Sequence, residues 1–168
     1  KEYKIDDLVL ATGFNAMTGA VKNITILNEK NESLSDNWSS GPQTYLGLMV
    51  SGYPNLFLVT GPQSPGVKSQ MILSIEQHVN MITRIITQMH DKNARSVAAC
   101  SNAQRDWVDH VTFVANSTLY PKALSWYNGD NIPGKPRVFM PYVGGVDTYF
   151  RTCEKVVNNG YEGFTFSS

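Results

Sequence analysis

The chain has 168 residues, 42% of them hydrophobic, and its 14 basic and 14 acidic side chains leave no net charge. One globular domain is the default at this length. Zero net charge with no Lys/Arg-rich run argues against nucleic acid or an anionic membrane surface as partner, and no apolar run is long enough to span a bilayer. Cys100 and Cys153 lack a CxxC or any metal-ligand spacing, so a reduced, cytoplasmic chain without a metal site is expected.

The sequence opens without Met, and Lys1 to Asp7 leads almost at once into Leu8-Val9-Leu10-Ala11, an unbroken apolar run of the kind buried on both faces of a parallel sheet. It reads as a cut inside a larger domain. Leu56-Phe57-Leu58-Val59 is a second such run, and both end in Thr-Gly, at Thr12-Gly13 and Thr60-Gly61. Val21 to Leu27 is a candidate strand between them. From Met71 the period becomes helical: Met71, Ile72, Ile75, Val79, Ile82, Ile85, Ile86 and Met89 share one face, opposite Glu76, Gln77, Asn80, Arg84 and Gln88. A second helix carries Trp107, Val108, Val111, Val114 and Ala115, with Ser101 or Asn102 as cap. A third spans about Val146 to Asn159, stopped by Gly160, and Gly163 to Phe166 forms a closing strand. Strands alternating with helices point to the α/β class.

In an open parallel sheet ligands bind beyond the carboxyl ends of the strands, where both Thr-Gly pairs would sit, although glycines there also simply end strands. The helix starting near Lys68-Ser69-Gln70-Met71 would turn free amides and its positive dipole end toward an electron-rich group. His78, His90 and His110 fit solvated helix faces better than a metal site. The segment Ser125 to Pro136 holds two aromatics, two glycines, two prolines and a lysine and cannot be regular helix or strand. Its Trp126 could stack on a ring or pin the loop to the core.

Several blocks together resemble the Baeyer-Villiger monooxygenases. They are Leu8 to Phe14 with its Ala-Thr-Gly-Phe; Gly52-Tyr53-Pro54-Asn55 with Gly61-Pro62-Gln63-Ser64-Pro65; Ser74-Ile75-Glu76-Gln77-His78; Ser125-Trp126-Tyr127 through Asn131-Ile132-Pro133-Gly134-Lys135-Pro136; Gly144-Gly145; and Gly160 to Phe164. The resemblance covers essentially the whole chain and is to the C-terminal part of that family. It implies the C-terminal portion of a Rossmann-like flavoprotein with two dinucleotide-binding domains and parallel strands. Residues 1–118 would belong to the FAD-binding domain, 119–137 would form a mobile NADP and substrate loop, and 138–168 a strand-helix-strand.

The implied activity is conversion of ketones to esters or lactones with FAD, NADPH and O2, through a flavin C4a-peroxide. By the same resemblance Thr12, Gly13, Gln70 and Met71 approach FAD, Trp126 closes over NADP, and Pro65, Gly66, Val67 and Lys68 shape the substrate pocket. Gly129-Asp130-Asn131 departs from the family's Gly-Ala-Asn and adds a charge to the loop. No G-x-G-x-x-G occurs in the sequence, and the family's catalytic arginine falls outside it, so the chain alone is expected neither to bind FAD tightly nor to turn over. The missing N-terminal part, or a second copy, is the expected partner. The alternatives are part of an N-hydroxylating flavin monooxygenase, against which the Trp126 loop argues, and a non-catalytic assembly module.

Overall fold

The computed structural model describes residues 1–11 and 13–168; the expectation for Thr12 lies outside the described residues. Two short helices, α1 (Gly19–Lys22) and α2 (Leu34–Asn37), lead to a buried irregular segment, followed by α3 (Met71–Asp91), β1 (Ser96–Ala99), α4 (Ser101–Asn116), α5 (Val146–Asn158) and β2 (Phe164–Ser167). The three long helices and the last strand lie where their periodicities predict. The structure is a mixture of helix and sheet.

The parallel-strand expectation does not carry over to the chain's own sheet. β1 and β2 pair antiparallel, Val97 opposite Phe166 and Ala99 opposite Phe164. Neither Leu8–Ala11 nor Leu56–Val59 is a strand. A strand exists only against a neighbour that takes its backbone hydrogen bonds, and Leu8, Val9 and Leu10 have none among the described residues and stand 72%, 84% and 74% exposed. The second run lies instead against the turn before it, Leu58 N–H donating to Leu48 O at 2.7 Å. Val21–Leu27 is likewise not a strand, since its first residues belong to α1.

Inside α3 the expected face is rotated. Ser74, His78, Met81 and Ile85 are buried, whereas Ile72, Ile75, Val79 and Ile86 are exposed. The helix carries apolar residues on two sides, and periodicity cannot tell which side the chain covers. α4 behaves as read, burying Trp107, Val111 and Ala115, but its N-cap is Cys100, without a side-chain cap bond.

The main core gathers Tyr45, Leu46, Leu48 and Met49 from the irregular segment, Met81 and Ile85 from α3, Trp107 and Val111 from α4, and Tyr149, Cys153 and Val156 from α5. A second cluster holds Trp38, Val50, Tyr53 and Leu58. Backbone runs through the middle of the main core at Gly47. A β-carbon there would stand 2.5 Å from Cβ of Ser64, and φ is +70°, so glycine alone fits.

Candidate active-site cavities and the loop between them

The segment from Ser125 is built from local bonds. Ser125 Oγ accepts from Tyr127 N–H at 3.2 Å. Asn128, buried, donates to Ala123 O at 2.8 Å and Tyr120 O at 3.3 Å. Gly129 takes φ +80°, which lets the chain reverse. The acidic Asp130 is satisfied within the loop: its carboxylate accepts from Arg137 Nε at 2.9 Å and from Ser125 N–H at 3.1 Å. Arg137 also donates to Pro121 O at 2.7 Å. The charge that departs from the family pattern is therefore neutralised by an arginine seven residues on.

This loop closes onto the start of the chain. Asn131 Nδ2 donates to Phe14 O at 2.9 Å and Lys135 Nζ to Asn15 Oδ1 at 2.7 Å. Between the two lies a cavity of about 580 Å³, lined by Gly13 and Phe14 on one side and by Trp126 and Asn131 on the other. Gly13 has φ +79°, and a β-carbon there would meet only Asn131 Nδ2 at 3.9 Å, so its face is open. The Trp126 ring stands edge-on to Tyr127 at 4.3 Å and is only partly buried. Two residues 113 positions apart, singled out independently in the sequence, thus share one cavity.

A second cavity of about 280 Å³ opens on the other side of Tyr127, with Pro65, Gly66 and Lys68 in its wall; Val67 is exposed beside it. It forms because the irregular segment after the loop runs alongside Gln63–Pro65: Gln63 N–H donates to Met140 O at 2.6 Å, and Tyr142 N–H to Ser64 O at 2.7 Å. Trp107 Nε1 and Thr44 Oγ1 donate to Gln63 O and Gln63 Oε1, anchoring the same turn. Tyr120, Tyr127 and Tyr142 complete the wall. The sequence signal for these was present, three tyrosines bracketing a Gly/Pro loop, but it has no spacing that marks a site.

Gln70 and Met71 line neither cavity. Gln70 is the N-cap of α3, its Oε1 accepting from Leu73 N–H at 2.7 Å, and Ser74 N–H goes to Gln70 O. Met71 and Ile72 keep amides without a protein acceptor among the described residues, at the positive end of a 21-residue helix.

Sequence reasoning put His78 on a solvated face; it is fully buried. Its Nδ1 accepts from Thr60 N–H at 2.8 Å, and its Nε2 lies 2.7 Å from Tyr149 Oη, which also reaches Leu46 O at 2.6 Å. The amide at Nδ1 fixes the proton on Nε2, so Nε2–H donates to Tyr149 and Tyr149 donates to the carbonyl. Burial lowers the His78 pKa to about 4 and pushes the Tyr149 phenol well up. This neutral relay joins α3, α5 and the Thr60–Gly61 turn. No group of three metal-ligating side chains occurs among the described residues. No helix among the described residues is long and apolar enough to cross a membrane.

No family model matches the chain. Cyclopentanone 1,2-monooxygenase of Comamonas sp. is 35% identical over 167 residues, 99% of this chain and 30% of that protein. Phenazine N-monooxygenase PhzNO1 of Lysobacter antibioticus is 34% identical over 167 residues, again 99% of this chain and 30% of the relative. The crystal structure of cyclohexanone monooxygenase from Rhodococcus sp. Phi1 bound to NADP+ superposes with a TM-score of 0.93 at 32% identity, covering 99% of this chain and 31% of that one. Another solved neighbour holds both FAD and NADP. The chain thus spans about three-tenths of the length of the relatives it matches, and over essentially all of its own length it is homologous to the Baeyer-Villiger monooxygenases, the family its motifs resemble.

Proposed function

We propose that the chain supplies the loop, the substrate wall and a helix end of an FAD- and NADPH-dependent Baeyer-Villiger monooxygenase that converts small ketones to esters or lactones. The observation that carries this is the shared cavity of Gly13 and Trp126, closed by the Asn131–Phe14 bond. Bound FAD, reduced by NADPH, would supply the oxygen-transferring chemistry.

The residues present fit both cofactors. Gly13 offers an open backbone face, and the unsatisfied amides of Met71 and Ile72, set by Gln70, offer donors and dipole to an electron-rich ring. Gly13, Gln70 and Met71, with Thr12, would hold FAD. Trp126, half-buried on a loop pinned by Asn128 and Asp130, would cover NADP. Pro65 to Lys68 would orient the ketone and exclude water.

The proposal includes a larger assembly. The exposed apolar face of α3 and the exposed Leu8–Leu10 would be covered by the rest of a flavoprotein, where Leu8–Ala11 would gain neighbours and become a strand of a Rossmann-like parallel sheet. In that frame residues 1–118, 119–137 and 138–168 act as domain part, loop and closing unit of one body, since one core runs from Tyr45 to Phe164. A reduced, cytoplasmic setting agrees with Cys100 and Cys153 being free.

The test is NADPH oxidation by the complete FAD-loaded protein that contains this stretch, with product analysis. Ketone-dependent formation of an ester or lactone supports the proposal. The phenazine N-monooxygenase match, which extends over the loop as well, favours N-oxygenation as a second reading and removes the loop as an argument against it. An N-oxide from a heteroaromatic amine, with no ester from any ketone, would decide for that reading.

A further inference from the structure

The smaller cavity carries one cation and no carboxylate. Lys68 holds its ammonium over the Tyr120 ring, 4.7 Å from the centroid. No Asp or Glu lines the cavity, and no carboxylate pairs with Lys68 among the described residues. The contact with Tyr120 raises the Lys68 pKa above the ordinary lysine value, so the group is charged at neutral pH.

Two phenols line the same space. The Tyr127 and Tyr142 side chains are largely buried, and neither hydroxyl donates a hydrogen bond to a described residue, while the Tyr45, Tyr53, Tyr149 and Tyr161 hydroxyls each donate one. Neither hydroxyl is a buried atom left unsatisfied, so both reach the open space of the cavity, where each can donate to an acceptor atom of a bound molecule. The Tyr127 hydroxyl lies beside Gly66, where a β-carbon would approach it to 3.2 Å, and the Tyr142 hydroxyl lies against the backbone of Gly144. The cavity mouth also meets Gly145 and Val146, the start of α5, whose N-cap has no side-chain bond.

We infer that this pocket selects a small ketone bearing a carboxylate, which pairs with Lys68 while the Tyr127 and Tyr142 hydroxyls in the cavity wall donate to its oxygens. The inference rests on the ketone-oxygenating reading above and names the substrate class for its pocket. A single cation and two neutral donors match a monoanion with two acceptor oxygens. A phosphate dianion would be left half-neutralised, and Asp147 in the first turn of α5 adds to its cost. A volume of about 280 Å³ also limits the occupant to a small molecule. Lys68 is a specificity-determining residue in this scheme and takes no part in oxygen transfer.

Binding is measured by NMR of labelled tyrosines in the complete protein that contains this stretch, since Tyr120, Tyr127 and Tyr142 all line the cavity. Three probes share one skeleton: levulinate, its methyl ester, and valerate, which lacks the ketone. Levulinate is expected to bind about tenfold or more tightly than the methyl ester, a preference that Lys68→Met abolishes and Lys68→Arg largely restores. Equal binding of acid and ester, or a preference that survives Lys68→Met, overturns the inference and leaves the ketone reading standing. Valerate binding as tightly as levulinate overturns it as well, by showing an anion site without ketone recognition. Levulinate displaced by NADP+ whose own affinity falls in Lys68→Met would assign the cation to the cofactor and overturn it. If neither keto compound shifts the resonances of Tyr127 or Tyr142, the ketone reading of the pocket fails and takes the inference with it.

Discussion

Asp130 and Arg137 tie the Trp126 loop to itself: the carboxylate, its side chain 14% exposed, accepts from Arg137 Nε at 2.9 Å while the same guanidinium reaches Pro121 O. One ion pair thereby joins the beginning, middle and end of the segment that bears Trp126. Asp130→Ala removes both the pair and the acceptor for Ser125 N–H, leaving Arg137 without a counter-charge. The loop is expected to open more readily by about 1–2 kcal/mol, read as faster hydrogen exchange of residues 119–137 and a red-shifted Trp126 emission. Unchanged exchange there would mean that Asn128 and Gly129 hold the loop by themselves.

His78 makes stability depend on pH in a defined window. Its folded pKa of about 4 lies below the ordinary histidine value of 6.5, so its contribution is complete above pH 6.5 and is lost as pH falls toward 4, where the unfolded chain binds a proton the folded chain refuses. The loss amounts to about 3 kcal/mol across that window. His78→Gln, which does not titrate, is expected to be less stable at pH 7 and to show a shallower fall in Tm from pH 6.5 to 4 than the parent. Parallel curves would show that the relay through Thr60, His78 and Tyr149 is not the group that titrates.

Gly47 sets a steric limit at the crossing of the core. Gly47→Ala drives a methyl group into Ser64 and holds alanine at φ +70°. A loss of about 2–4 kcal/mol is expected, measured by denaturant unfolding. Gly52, also at positive φ but with open space around it, serves as control: Gly52→Ala carries the backbone strain alone and is expected to cost about 1–2 kcal/mol.

Trp126 is the test of the loop's proposed role. In the complete monooxygenase Trp126→Ala is expected to weaken NADPH binding about tenfold and to release more hydrogen peroxide without ketone oxidation, while Trp126→Phe keeps part of the affinity through its ring. Parental values for NADPH affinity, ketone oxygenation and peroxide release in Trp126→Ala would remove Trp126 from the cofactor site.

The exposed Ile72, Ile75, Val79 and Ile86 on α3, with Leu8, Val9 and Leu10, form more apolar surface than an isolated chain tolerates well. The 168-residue chain is expected to self-associate at micromolar concentration and to retain no flavin absorbance after gel filtration with FAD. A monomer that holds FAD stoichiometrically would contradict the proposal that the remainder of a larger flavoprotein completes the site.

The sequence alone determined the three long helices, the closing strand and the blocks that identify the family, because those depend on residue spacing and on glycines and prolines that allow few local conformations. It also marked Gly13, Trp126 and the Pro65–Lys68 turn as candidate site residues by their resemblance to the family's motifs. Tertiary structure decided what depends on neighbours. Leu8–Ala11 reads as a buried strand and stands exposed, since pairing is a property of two segments. The α3 helix buries His78 in place of Ile75, because the covered side is the one that meets Tyr149 and Leu46. β1 escaped notice because Ser96–Ala99 is four small residues whose strand character comes from β2, nearly seventy positions on. The pairing of Asp130 with Arg137, and of Lys68 with three tyrosines around one cavity, likewise arises only when the loop folds back along Gln63–Pro65. Local spacing encodes the elements, while contacts between residues far apart in sequence set their faces, their partners and the site.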